Sequence, residues 1–194
     1  MTRKARDLMI LPPDLPVPID DGAADHLRGS EVPDLALPST DGGHLSLAAT
    51  GNSRVVVYAY PRTGRPGEAS LTADWDLIPG ARGCTPESCG FRDHHAALLA
   101  VGAEVFGLST QDTAYQQELV ACLHLPFPIL SDAELRLTRA WRLPTFDVAG
   151  QRLLRRFTIV IRNRRVEHLW YPVFPPDRHA DAVLEWLRRN PLSS

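Results

Sequence analysis

Residues 54–60, RVVVYAY, decide the fold, because this run of β-branched and aromatic residues is almost uninterrupted by polar groups. The run is too short for an ordinary helix, and a strand without a polar face is typical of the middle of a sheet, buried on both sides. Pro61 ends it, since proline supplies no N–H group to a sheet ladder. The sequence therefore predicts that residues 54–60 form a central strand.

Strands and helices alternate on the C-terminal side of this central strand. The periodicity predicts strands at 103–110, 127–130, 157–163 and 166–173, and helices at 85–100, 111–123, 133–141 and 176–189. On the N-terminal side, the turn at residues 41–43 joins two short extended segments. Alternating strands and helices favour a mostly parallel sheet, and the two adjacent strands near the end add an antiparallel edge. The predicted fold class is α/β, with a central mixed β-sheet flanked by helices.

The chain divides into a short arm and one domain. Residues 1–28 are rich in proline, which disfavours helix, so this segment is expected to run extended over the body. Residues 29–194 carry the strand and helix patterns and are expected to form one domain. Within this domain, residues 61–83 form a long loop that contains several glycines and prolines. Loops of that length in a compact domain are usually functional.

The overall composition argues against several classes of protein. The 194 residues include 21 Lys and Arg and 23 Asp and Glu, a net charge of −2, whereas a nucleic-acid-binding protein needs a basic face. No apolar stretch approaches the roughly 20 residues of a membrane span, and no secretory signal is recognisable at the start. We therefore expect a cytoplasmic protein with neither nucleic acid nor membrane as a partner. Three cysteines do not indicate a disulfide scaffold.

The candidate chemistry lies in residues 80–93, GARGCTPESCGFRD. Cys84 follows a glycine-rich loop and begins a predicted helix, with Pro86 in the first turn. The free backbone amides and the positive end of the helix dipole favour a thiolate there, so we expect a nucleophile with a lowered pKa. A zinc site is disfavoured, because zinc needs three or four ligands and no second Cys and His cluster exists.

Cys89 lies five residues after Cys84, in the same predicted helix. Five residues of intact α-helix rise about 7.5 Å, which places the two Cα atoms beyond the roughly 7 Å that a disulfide tolerates. If the two cysteines pair, the first turns of the helix must therefore unwind. We expect the third cysteine, Cys122, to pack in the core on the apolar face of the 111–123 helix, and a role as an alternative resolving thiol is the less favoured interpretation.

These residues give the sequence a resemblance to the peroxiredoxins, and specifically to the Q type, the bacterioferritin comigratory protein group. The matching segments cover residues 29 to about 189 in the family's order: GSEVPDLALPSTDGGHLSL, VVVYAYP, GCTPESCGFRD, AEVFGLST, LPFPILSDAE and RRFTIVI. The resemblance implies a thioredoxin-like fold and thiol-dependent reduction of hydrogen peroxide or organic hydroperoxides. Carried over by position, it implies Cys84 as the peroxidatic cysteine, Cys89 as the resolving cysteine and Arg156 as a donor at the reacting peroxide. It also implies no cofactor, recycling by thioredoxin or a similar dithiol, and a monomer or weak homodimer.

The loop before Cys84 departs from the family's pattern, which reads Pro, three residues, Thr, two residues, Cys. An insertion separates Pro61 from Cys84, and Ala81, which has no hydroxyl, stands three residues before the cysteine. Thr63 could fold back to supply the hydroxyl, or Arg65 could take its place, or Thr63 is an ordinary loop threonine. The sequence leaves this choice open.

Two other functions are compatible with the same residues. A redox sensor or binding module would keep the Cys84–Cys89 switch and show slow or no peroxidase turnover. A thioredoxin-fold protein without peroxide chemistry would follow if the change at Ala81 had abolished it. Arg156 has its own alternative, because it stands in a run of arginines that are typical of a solvated surface.

Overall fold

The computed structural model describes residues 7–51 and 53–192. Its strands are β1 (Ala36–Pro38), β2 (His44–Ser46), β3 (Arg54–Ala59), β4 (Ala103–Ser109), β5 (Ile129–Ser131), β6 (Thr145–Val148), β7 (Gln151–Leu154), β8 (Phe157–Arg162) and β9 (Arg165–Trp170). Its α-helices are α1 (Cys84–Ala100), α2 (Thr113–Leu123), α3 (Arg136–Trp141) and α4 (His179–Arg189). No helix among the described residues is long and apolar enough to cross a bilayer.

The central sheet has five strands in the order β5-β4-β3-β8-β9, with β3 in the middle and buried along its whole length. β3 pairs in parallel with β4, and β4 in parallel with β5. β8 pairs antiparallel with both β3 and β9. The central strand, the mixed sheet and the antiparallel edge predicted from the sequence are therefore confirmed. The prediction of a mostly parallel sheet was wrong, because β8 pairs antiparallel with the central strand as well as with β9, so two of the four pairings are antiparallel.

Two cores lie on the two faces of the sheet, because successive side chains of β3 point to opposite sides. Val56 and Tyr58 face α1, α2 and α4, where Phe91 and Leu98 are among their neighbours. The opposite core contains alternate residues of β3 and β8 together with side chains of α3 and of the β1–β2 segment: Val55, Val57, Ile159, Leu137, Trp141 and Leu37. This arrangement of helices about a mixed sheet is the predicted α/β class.

Three local features differ from the sequence-based prediction. The hairpin of β6 and β7 was not expected, and its turn at Ala149 and Gly150 uses positive φ angles of 49° and 74°. α3 begins later than expected, because the Asp132 carboxylate accepts the backbone N–H groups of Leu137 and Thr138 and caps it from outside. A single 3₁₀ turn at Pro176–Arg178 precedes α4.

The N-terminal arm lies against the domain, and its described part begins at residue 7. Ala24 and Leu27, near its end, are fully buried in the core beside the sheet. The boundary between arm and domain at residue 28 stays a prediction. The outer ends of the two predicted parts, residues 1–6 and 193–194, lie outside the described residues.

Candidate active site

Cys84 is the first residue of α1, as the sequence predicts, and Gly83 determines how the chain enters the helix. Gly83 has a left-handed φ of 105°, and a Cβ atom at this position would collide with Pro176. Only glycine meets both conditions, because other residues rarely adopt this φ and none lacks a Cβ atom. The result is a Cys84 side chain that is 3% exposed at the start of a 17-residue helix.

Arg156, just before β8, lies beside the Cys84 sulfur. Its Nη2 atom is 3.1 Å from Sγ of Cys84, and it also donates to the backbone carbonyls of Gly80 and Arg82 at 3.2 Å. Its Nη1 atom forms an ion pair with Glu87, one turn into α1, and both side chains are buried. The guanidinium is held by the loop on one side and by the helix on the other, so it is a fixed cation next to the thiol.

The electrostatics of this buried cluster oppose one of the sequence-based expectations. Burial raises the pKa of the Cys84 thiol and outweighs Arg156, which lowers it, while the Glu87 carboxylate raises it further. The prediction of a lowered pKa was therefore wrong, because the helix start is buried rather than open to solvent. Burial also raises the pKa of Glu87 to about 7, although Arg156 opposes this shift.

Thr63, at the beginning of the long loop, lies in the active site near Cys84. It lines a small chamber of about 170 Å³ together with Cys84, Thr85 and Tyr115. The Thr63 hydroxyl donates to Oε1 of Gln111 at 3.1 Å, and the Thr63 N–H group donates to the same oxygen at 2.9 Å. The structure therefore brings Thr63 and Cys84 to one chamber, and the threonine hydroxyl is hydrogen-bonded to the side-chain amide of Gln111.

Arg65, the other candidate for the missing threonine, is engaged by an acidic side chain. It donates to the two carboxylate oxygens of Glu118 at 2.6 and 2.9 Å, and it lies over the Tyr115 ring at 4.3 Å. Ala81, which stands where the family has threonine, lies in an apolar environment. Its methyl group is fully buried with Trp75 of the inserted loop and Leu153 of β7.

Cys89 and Cys122 differ from Cys84 in their surroundings, and all three cysteines are free thiols. Cys89 lies one turn along α1 and is 6% exposed, with its Sγ atom 3.9 Å from Sδ of Met9 in the arm. Cys122 is exposed, so the prediction that it packs in the core was wrong. The buried face of α2 is formed by Gln116, Leu119 and Leu123, and Cys122 lies at its side.

Sequence reasoning missed three contributors to the site: Glu87, Gln111 and Met9. The spacing of Glu87 in the motif that starts at Cys84 was visible, and a buried acid three residues after a cysteine could have suggested a partner for Arg156. Gln111 and Met9 carry no local signal, because they reach the site through the loop after β4 and through the arm.

Comparison with known proteins places this geometry in a family. The family model of the redoxins matches residues 27–184. Chloroplastic peroxiredoxin Q of Populus jackii is 32% identical over 162 residues, which are 83% of this chain and 68% of that protein. The chain belongs to the peroxiredoxin Q family.

Two further similarities define what this chain shares with its relatives. Chloroplastic peroxiredoxin Q of Gentiana triflora is 30% identical over 161 residues, which cover 83% of this chain and 66% of the relative, so the chain spans just under two thirds of that protein. The crystal structure of peroxidoxin BcpB from Mycobacterium tuberculosis superimposes with a TM-score of 0.67 at 28% identity, over 86% of this chain and 98% of that one. The thioredoxin-like fold expected from the resemblance is therefore confirmed.

Proposed function

We propose that this protein reduces hydrogen peroxide and organic hydroperoxides, with Cys84 as the attacking thiolate and Cys89 as the resolving thiol. The 3.1 Å contact between Cys84 and Arg156, at a helix start and beside the small chamber that Cys84 lines, carries this proposal. A fixed cation beside a buried sulfur suits a reaction in which a thiolate is consumed and negative charge develops on a departing oxygen.

The first step is a two-electron oxidation of the sulfur. The Cys84 thiolate attacks the terminal oxygen of R–O–OH, so that an S–O bond forms as the O–O bond breaks. The sulfur becomes a sulfenic acid, and RO⁻ leaves and takes up a proton to become ROH, which is water when the substrate is hydrogen peroxide. Arg156 offers N–H groups next to the reacting sulfur, where they stabilise the charge on the oxygen that leaves.

The second step forms a disulfide. Cys89 attacks the sulfenic sulfur, an S–S bond forms and water leaves. The step requires the first turns of α1 to unwind, because an intact helix holds the two cysteines too far apart. Thioredoxin or a similar dithiol then reduces the disulfide by two thiol exchanges and is itself oxidised. A cytoplasmic location and a monomer or weak homodimer complete the proposal.

The decisive experiment combines chemical trapping with turnover. Reduced protein is treated with one equivalent of hydrogen peroxide in the presence of dimedone, and the labelled residue is identified by mass spectrometry. The expected label is on Cys84, followed by steady turnover when thioredoxin and its reductase are added. A label without turnover with any dithiol would favour the sensor, and the absence of a label would overturn the peroxidase.

A further inference from the structure

The N-terminal arm, nearly all of which precedes the residues matched by the family model, is attached to the active-site loop. Arg82 donates to the backbone carbonyl of Asp7 at 2.6 Å and to that of Ile10 at 3.2 Å. Leu8 lies directly against Gly64, at the start of the long loop. The arm is therefore held by hydrogen bonds and an apolar contact beside Cys84.

A cavity of about 780 Å³ lies between this arm and α2. Leu8 and Met9 of the arm form one wall, and Leu119, Cys122 and Leu123 of α2 form the other. Pockets of about 300–1,000 Å³ with mostly apolar walls are the size that takes a small organic ligand. Nothing in the proposed chemistry of Cys84 requires so large an apolar space for hydrogen peroxide.

The cavity adjoins the small chamber that Cys84 lines. Leu8, Arg65, Thr85 and Tyr115 line both spaces, and Cys84 itself lies only in the smaller one. A molecule with a polar end at Cys84 would therefore extend its remaining part between the arm and α2. This arrangement separates the place where the O–O bond reacts from the place where an apolar group is removed from water.

We propose that the arm-walled cavity binds the hydrocarbon chain of a long-chain, uncharged organic hydroperoxide while its O–O group lies at Cys84. This inference rests on the proposed function and deepens it, because it names the substrate class. The bond changes at Cys84 are those of the first step above, with the long-chain R group in the cavity and ROH as the released alcohol.

The charges at the cavity favour an uncharged chain over one that ends in a carboxylate. Three acidic residues and one basic residue line the cavity: Asp7, Glu68, Glu118 and Arg65. Arg65 is paired with Glu118. An acidic excess of this kind repels an anionic chain end, most strongly at low ionic strength. A neutral alkyl hydroperoxide is therefore the better ligand than a fatty-acid hydroperoxide of equal length.

A series of unbranched alkyl hydroperoxides tests the proposal on the full-length protein. The second-order rate constant for oxidation of Cys84 is measured from the shortest to the longest soluble chain, with hydrogen peroxide as the reference. We expect it to rise by up to about fourfold for each methylene group until the cavity is filled, since burial of a methylene group is favourable. A rate constant that stays flat or falls with chain length, while hydrogen peroxide still reacts, overturns the cavity assignment alone. If hydrogen peroxide does not react either, the proposed function fails.

Matched arm variants locate the effect. Leu8→Gln places an amide in the cavity wall, whereas Ile10→Gln introduces the same group two residues away on a side chain that is 64% exposed and lines neither space. The ratio of the rate constant for the longest chain to that for hydrogen peroxide should fall roughly fivefold in Leu8→Gln and stay unchanged in Ile10→Gln. Equal ratios in both variants would contradict the role of the arm.

Competition by unreactive chains of the same length completes the test. A long-chain primary alcohol, the reduced product of the proposed substrate, should slow oxidation of Cys84 by the alkyl hydroperoxide competitively. A fatty acid of the same length should compete less well, and the difference should shrink as salt is added. No competition by the alcohol, or stronger competition by the fatty acid, would contradict the assignment.

Discussion

Cys84 and Cys89 lie in the same helix, five residues apart, but the protein holds them in opposite ways. Cys84 is enclosed by charged and polar groups: the Arg156 guanidinium, the carboxylate of Glu87 behind it, and the carbonyl of Ala81, to which its thiol donates at 3.6 Å. Cys89 contacts more mobile groups: its Sγ atom lies 3.9 Å from Sδ of Met9 in the arm, and the partly exposed Arg92 side chain interacts with it.

The difference matches the demands of the two proposed roles. A nucleophile that reacts with a small electrophile gains from donors that are already in place when charge develops. A resolving thiol must leave its position, and the flexible Met9 side chain that contacts Cys89 can move aside at little cost. The comparison indicates that fixed charged groups are concentrated at the first turn of α1, where the reacting sulfur lies, whereas Cys89 contacts a flexible side chain of the arm.

The largest effect is expected when the nucleophile is removed. Cys84→Ser should abolish the reaction with peroxide, because a serine hydroxyl is hardly ionised at neutral pH. Stopped-flow measurement with hydrogen peroxide checks this, with Cys122→Ser as the matched control that should retain its rate. Substantial turnover by folded Cys84→Ser would move the nucleophile to another cysteine.

Loss of the cation comes next. Arg156→Met should slow oxidation of Cys84 by about 10²–10³-fold, the cost of one donor at a site of developing charge, about 2.7–4 kcal/mol. Arg152→Met is the matched control, because Arg152 belongs to the same basic run but is exposed and paired with Asp147. Circular dichroism verifies that the fold is intact, since Glu87 loses its partner. An unchanged rate would make Arg156 a structural cation only.

Removal of the resolving thiol should change the fate of the oxidised sulfur rather than the first rate. Cys89→Ser is expected to accumulate sulfenic acid at Cys84 and to over-oxidise at higher peroxide, because no neighbouring thiol captures the intermediate. In the unmodified protein, oxidation should raise amide exchange at residues 84–93 while β3 and β8 stay protected.

A disulfide between Cys84 and the third cysteine, Cys122, would contradict this prediction. Cys122 is exposed on α2, in the wall of the arm-walled cavity. Peptide mapping that finds Cys84 bonded to Cys122, with α1 still protected from exchange, would make Cys122 the resolving thiol. Cys89 would then be a buried thiol that takes no part in the reaction.

The smallest expected effect concerns the acid behind Arg156. Glu87→Gln should lower the pKa of Cys84, because the carboxylate raises it. The peroxide rate, which follows the thiolate and so rises with pH, should reach its plateau at a lower pH in the variant. Glu118→Gln makes the same isosteric change on an exposed carboxylate and serves as the matched control. A profile displaced to higher pH would contradict the assignment.

The same carboxylate should affect stability. Burial raises the pKa of Glu87 in the folded protein to about 7 from an ordinary value of 4.5. A carboxyl group whose pKa is raised on folding contributes stability that is fully present below pH 4.5 and is lost as the pH rises through about 7. Denaturant titrations at several pH values should show the free energy of unfolding of the unmodified protein falling as the pH rises through about 7. This contribution to the fall should be absent in Glu87→Gln.

Much of the fold followed from local patterns. The apolar run of β3 and the helical spacing of α1 are encoded by neighbouring residues, so periodicity was enough to predict them. The hairpin of β6 and β7 was missed, because its strands are short and depend on the inserted loop, whose Trp75 packs against Leu153. Short strands of this kind are stabilised by what covers them rather than by their own sequence.

By itself, the sequence determined that Cys84 begins a helix and that Cys89 follows in it, because both depend on the order and spacing of residues. Only the tertiary structure decided that Cys84 is buried against Arg156 and Glu87, which raises its pKa overall, and that Cys122 is exposed. It also decided that the arm forms the wall of a cavity. Burial and electrostatic environment are sums over groups distant in the chain, and no local pattern contains them.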